Sequence, residues 1–314
     1  MEYRPKFLFR NGHFNSIYPT LFRKQSDLAF ERISLDTPDD DFIDIDVKLS
    51  GSSNKVVILC HGLEGSSDSH YIKGTASLAH KKGWNVVAMN YRSCSGRMNK
   101  KLRMYHSGAT DDLDLVVEYC KEKFRTIALV GFSLGGNLVL KYCGERSQAL
   151  DSNISSVVAI SVPTDLSAGS KNIGRKSNFL YELKFLKTLR EKVREKHAQF
   201  PEDVDIAPLE GLKKLYDFDD VYTSRIHGFK DAEDYYTQCS SGQFIPEIRI
   251  PGLVINAQDD PFLPEECYPE ALVQQNDNVE LIVPKYGGHV GFVLPGEDFY
   301  WAEFAAIDFI SRNS

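Results

Sequence analysis

The sequence predicts an α/β fold: a mostly parallel central sheet, covered by helices on both faces and carrying a helical cap insertion. Three observations lead there. Short, continuously apolar runs recur along the chain, as expected of strands buried on both faces: KVVILC (55–60), WNVVAMN (84–90), TIALVGF (126–132) and SSVVAIS (155–161). Between them stand segments whose apolar residues return at helical spacing, so that strand and helix alternate. The rhythm stops at Pro163 and resumes at GLVINAQ (252–258), which leaves about 165–245 as an insertion between strands of one sheet.

Taken in order, ERISL and DFIDIDVKL alternate apolar with polar residues through Phe42, Ile43, Ile45, Val47 and Leu49, and read as two strands joined by the turn-rich DTPDDD. KVVILC is the third strand; a helix over 71–82 leads to the fourth, WNVVAMN. Leu113, Val116, Val117 and Cys120 share one face of a helix near 109–123. TIALVGF, a helix over 134–149 and SSVVAIS follow. Inside the insertion, YELKFLKTLREKVREK (181–196) is a basic amphipathic helix expected to turn a solvated face outward. GLVINAQ and VELIVPK are the last strands, and DFYWAEFAAIDFI is a closing helix. No internal repeat or low-complexity segment intervenes, so residues 1–314 are expected to form one domain.

Composition narrows the class. A hydrophobic fraction of 42% with 26% charged residues over 314 positions is ordinary for a globular chain with a large core. A net charge of −7 disfavours a nucleic-acid partner, whose phosphates demand a basic face. The six cysteines form no CxxC and several sit in apolar runs, as expected of reduced, buried thiols in the cytosol. Charges break every apolar stretch of MEYRPKFLFRNGHF, and no run approaches the ~18 residues of a spanning helix. We expect a cytoplasmic protein with no transmembrane segment.

The chemistry begins at IALVGFSLGGNLVL, where a strand gives way to a helix around Ser133. The pattern G-x-S-x-G alone arises by chance in roughly a tenth of chains this long. Its setting is far more specific: a buried strand before it and a helix after it make a nucleophile elbow. The strained serine needs small neighbours two residues away on either side, and Gly131 and Gly135 supply them. A serine hydroxyl also needs a base in reach, itself oriented by a carboxylate. For this motif the chain order is serine, acid, histidine. Asp260 or Asp259, directly after GLVINAQ, and His289 in the glycine loop PKYGGHVGF satisfy that order at strand ends on one sheet edge. Asp260, which precedes Pro261, is the expected acid; Asp259 is the alternative, otherwise a cap on the turn through nearby N–H groups. The backbone N–H of Leu134 and that of Leu63, in the loop HGLEGSS, are the expected oxyanion donors, and His61 is expected to brace that loop.

These pieces resemble the YheT-like group of α/β-hydrolases. The resemblance rests on NGHFNSIYPTLFR, HGLEGSS, NYRSCSG, YHSGATDDL, GFSLGGN, DFDD…T…YY and DDPFLP…GGHVGF, which span the chain almost end to end. The group includes bacterial esterases, fungal medium-chain ester synthases and mammalian abhydrolase-domain phospholipases. The resemblance implies Ser133, Asp260 and His289 as a triad. It also implies a glycine where this chain has Ser93, a change expected to alter the pocket wall. Larger eukaryotic relatives carry a membrane anchor ahead of this region; with Met1 almost at the first motif, none is expected here.

The expected activity is hydrolysis of short- to medium-chain acyl esters through an acyl-enzyme, with a small-molecule ester as the partner. The rival readings are an acyltransferase using the same triad and a non-catalytic binding protein. DFDD lacks the glycine and distal glutamate of a calcium loop and is expected to cap a helix or form a salt bridge. No histidine shows metal-ligand spacing, so no metal or organic cofactor is expected. His13 and His106 fall within the resembling motifs and are expected to brace the site.

Overall fold

The computed structural model describes residues 2–24 and 26–314. Its centre is an eight-stranded sheet of order β1-β2-β4-β3-β5-β6-β7-β8. The strands are β1 (Glu31–Asp36), β2 (Phe42–Lys48), β3 (Lys55–Cys60), β4 (Asn85–Asn90), β5 (Thr126–Phe132), β6 (Ile154–Ile160), β7 (Gly252–Ile255) and β8 (Val279–Ile282). β1 and β2 pair antiparallel, and β2 lies antiparallel to β4; every other pairing is parallel. The loops that leave β3, β5, β7 and β8 therefore emerge at the same sheet edge.

Alternation along the strands explains the two-sided burial. Val56, Ile58 and Cys60 of β3 face one apolar cluster, while Val57 and Leu59 face the other. The first cluster takes in α3 (Thr110–Lys121) through Leu113 and Val116, and α4 (Leu134–Arg146) through Leu138 and Val139. The second takes in α2 (His70–Lys81) through Ile72 and Ala76, and the closing helix Trp301–Arg312 through Ala306 and Ile310. Each such Val, Leu or Ile side chain contributes about 1.5–3 kcal/mol on burial, which is what fixes the central strands as the platform for the site. The cysteines are buried and free.

Three differences from the sequence expectations stand out. A helix, α1 (Gly12–Phe22), precedes the sheet with Pro19 inside it, where no helix is among the elements expected from the sequence. The helix expected over 134–149 stops at Arg146, because Ser147 turns to φ +45° and a short 3₁₀ turn follows. Between β6 and β7 the described residues hold helices and no strand, including α5 (Leu166–Ile173) and α6 (Phe179–Gln199). The basic face of α6 is only partly solvated: Lys192 reaches Glu64 at 2.7 Å, and Lys196 is fully buried with its ammonium on the Asn99 carbonyl at 2.8 Å. Burial pushes the Lys196 ammonium down to about 8. Among the described residues no helix is long and apolar enough to cross a membrane.

Candidate active site

β5 ends at Phe132 and α4 opens at Leu134, which leaves Ser133 alone on the bend at φ +53°, ψ −119°. L-residues avoid that conformation, so the surroundings must hold it. The Ser133 N–H donates to the Ile160 carbonyl at 2.8 Å, and its own carbonyl accepts from Asn137 N–H at 3.1 Å. A Cβ at position 131 would stand 2.1 Å from the Gly135 oxygen, and one at 135 would stand 2.3 Å from the Cys60 oxygen. Strand, bend and helix approach too closely for any side chain at either glycine.

His289 Nε2 lies 2.9 Å from Ser133 Oγ, and His289 Nδ1 lies 2.9 Å from Asp260 Oδ2 and 3.2 Å from Oδ1. A carboxylate only accepts, so Nδ1 carries the proton and Nε2 presents a lone pair to the serine hydroxyl. Asp260 is buried and takes a second bond from Phe262 N–H at 2.8 Å, which fixes the carboxylate plane. That local turn, expected of Asp259, is thus made by Asp260. Asp259 instead accepts from Gly288 N–H at 2.8 Å, across 29 residues of sequence, and makes no bond to the imidazole. Its Oδ2 is buried without a partner, and burial raises its carboxyl above the usual range.

The loop after β3 leaves one donor free. Gly62 N–H donates to the Tyr71 hydroxyl and Glu64 N–H to the Tyr105 hydroxyl, each at 3.0 Å. The Leu63 N–H between them has no acceptor among the described residues. Leu134, first residue of α4, likewise has no carbonyl four residues back within its helix. A Cβ at Gly62 would touch Ser133 Cβ at 3.2 Å, so the loop lies directly against the serine. Glu64 anchors it from beyond, bound by the Tyr105 hydroxyl at 2.6 Å and Lys192 at 2.7 Å. His61 accepts Tyr91 N–H at Nε2 (3.3 Å) and so donates from Nδ1 to the Gly62 carbonyl (2.8 Å). Burial pushes it down to about 3, which keeps it a neutral brace.

Beyond the brace expected of His13, α1 holds the histidine loop. Ser16 Oγ accepts the His289 N–H at 2.7 Å while donating to the Gly12 carbonyl at 2.6 Å. Asn15 accepts Val293 N–H at 3.1 Å and donates to the Phe9 carbonyl and the Tyr3 hydroxyl. The contact is glycine-tight: a Cβ at Gly12 would lie 1.8 Å from the Asp259 oxygen. The visible signal was the run NGHFNS, whose Asn11 caps α1 through Phe14 N–H at 2.9 Å. His13 touches Tyr181 of α6 at 3.3 Å, and Tyr181 packs on Phe262, whose ring lies 4.2 Å from that of His289.

Ser133, Leu134 and Leu63 line a cavity of about 110 Å³ whose other wall comes from the segment between β6 and β7, with Leu166, Ile173 and Phe218 among its apolar members. His106 also lines it, its ring 4.6 Å from that of His227. Ser93 does not line it: at φ +64°, a conformation glycine adopts freely, its hydroxyl turns to Asn99. DFDD forms no salt bridge among the described residues. Asp220 accepts Ala232 N–H at 3.0 Å, and Asp219 faces the cavity.

Residues 55–295 match the family described as the alpha/beta hydrolase fold. The chain is 35% identical over 305 residues to YheT of Escherichia coli (strain K12), provisionally named an esterase, across 93% of this chain and 87% of that protein. Phospholipase ABHD3 of Mus musculus is 30% identical over 248 residues, 78% of this chain and 60% of that protein. A solved esterase of Pyrococcus furiosus superposes with a TM-score of 0.60 at 20% identity, over 91% of each chain.

Proposed function

Since the chain belongs to the α/β-hydrolase family, we propose that it is a serine carboxylic-ester hydrolase acting on short- to medium-chain acyl esters. The observation that carries this is the relay in which one imidazole joins Ser133 Oγ and Asp260 Oδ2, at 2.9 Å on each side. His289 Nε2 takes the hydroxyl proton as Ser133 Oγ bonds to the acyl carbon. The carbonyl oxygen gains the negative charge and is held by the N–H groups of Leu63 and Leu134. Each such donor is worth about 2.7–4 kcal/mol of barrier. Collapse breaks the bond to the alcohol oxygen, which leaves with the proton from His289, and Ser133 keeps the acyl group. Water, deprotonated by the same Nε2, then attacks the acyl carbon, releasing the acid and returning the proton to Ser133. Asp260 holds the imidazole and balances its charge while protonated.

In this reading residues of about 165–245 act as a cap on a single domain, and their apolar wall receives the non-reacting part of the ester. A fluorophosphonate probe should label Ser133 in the intact protein, and Ser133→Ala should abolish both labelling and p-nitrophenyl ester turnover. Turnover undiminished in that variant would falsify the assignment.

A further inference from the structure

The ester chemistry leaves one cavity carboxyl unused. Asp219 lines the cavity with Ser133 and sits in a turn of π-helix, Asp219–Thr223, that continues the helix Leu215–Phe218. Such turns recur at functional sites. Here the turn sets Asp219 against Tyr236 and Thr223, whose hydroxyls donate to Oδ2 and Oδ1, each at 2.6 Å. With the Tyr236 proton engaged there, Ser170, 2.9 Å from the same oxygen, donates to it in turn. No Lys, Arg or His pairs with Asp219 among the described residues. A carboxylate in an apolar wall without a cation is costly. A purely structural tie to Tyr236 and Thr223 could be made by an amide without that cost. Burial pushes the Asp219 carboxyl up to about 6, so most of it is ionised at neutral pH. Two of the about four acceptor sites of the carboxylate are filled by these hydroxyls, and the cavity is the side from which another donor can come.

We propose that Asp219 is a recognition site for a hydrogen-bond donor, a hydroxyl or an ammonium group, carried by the substrate ester. The proposal rests on the esterase reading of the same cavity. It narrows the substrate class from any acyl ester that fits to one with a polar donor on the part seated against the segment between β6 and β7. Fully aliphatic esters then serve as poor substrates.

Two matched trios of esters test this. In each, one chain of fixed length ends in methyl, hydroxyl or amine; in one trio that chain is the acyl group and in the other it is the alcohol. In at least one trio a donor-ended ester should exceed its methyl-ended partner in kcat/KM by about 10- to 100-fold, the range of a hydrogen bond to a charged group. The better of hydroxyl and amine identifies the donor. Asp219→Asn should bring that ratio close to one, whereas Tyr236→Phe, which retains the carboxylate, should keep it. Melting curves and fluorophosphonate labelling report whether each variant is folded. Equal kcat/KM across both trios in the wild type, or a full preference in Asp219→Asn, overturns the proposal. A wild type that turns over none of the six esters and takes no label defeats the esterase reading itself.

Discussion

Replacing Asp260 by Asn tests which carboxylate serves the imidazole, and the hydrogen bonds dictate the outcome. Phe262 N–H, 2.8 Å from Oδ1, requires an acceptor, so the amide oxygen takes that place and the amide NH₂ falls at the position of Oδ2. That position is 2.9 Å from His289 Nδ1. Two donors cannot share the contact, so Nδ1 gives up its proton and Nε2 acquires one. The imidazole then faces Ser133 with an N–H where a lone pair is needed. A wrong tautomer of this kind costs about 10⁴ in kcat, or about 5 kcal/mol at 1.36 kcal/mol per tenfold. Asp259→Asn differs in kind. Its Oδ1 still accepts Gly288 N–H, and its Oδ2 has no partner to lose. At most the charge assistance of one bond disappears, about 1 kcal/mol or roughly fivefold. Steady-state kcat/KM on a p-nitrophenyl ester separates the two variants. A larger loss in Asp259→Asn, or less than about tenfold in Asp260→Asn against the expected 10⁴, refutes the assignment of the acid.

Three further outcomes follow from the geometry. Ser16→Ala removes the acceptor of the His289 N–H and should lower kcat/KM by about 10- to 100-fold through misplacement of the imidazole; an unchanged rate of fluorophosphonate labelling would remove α1 from the site. Gly135→Ala forces a Cβ to 2.3 Å from the Cys60 oxygen and should destabilise by at least about 1–3 kcal/mol, so a melting temperature equal to that of the wild type contradicts the close packing of the elbow. Asp219, raised by burial to about 6 from 3.8, favours the folded state when protonated. Its contribution is full below the unfolded value and is lost as pH rises through the folded one. Urea titrations at several pH values between 4 and 7 should show the wild type losing stability relative to Asp219→Asn as pH rises, because the other titrating groups are common to both proteins; a difference that does not change with pH would count against it.

Much of this architecture was legible because burial on both faces writes itself as uninterrupted apolar runs, and KVVILC and TIALVGF needed no partner to be recognised. The proximity of Ser133, Asp260 and His289 was legible for a related reason: parallel strands deliver their following loops to one edge, so order along the chain becomes proximity in space. Asp259 and Asp260 are adjacent and equally placed by that rule. The position of Asp260 before Pro261 favours it, and the structure separates the two through the bonds of Asp260 to His289 and Phe262 N–H and that of Asp259 to Gly288 N–H, which depend on how the turn closes. α1 was not legible, since its sequence holds Pro19 and its partners are residues 288–293 at the far end of the chain. The orientation of Asp219 was hidden as well, because a π turn shifts the helical register by a residue that no periodicity reveals.

The clasp between α1 and the histidine loop joins two segments that lie far apart in sequence. Asn15 and Val293 are 278 positions apart, so the loop that carries His289 gains this support only once two widely separated segments have met. Removing residues through Phe22 would leave all eight strands in the sequence while taking away the Ser16 and Asn15 bonds to the loop that carries His289, together with the buried rings of Tyr3 and Phe9.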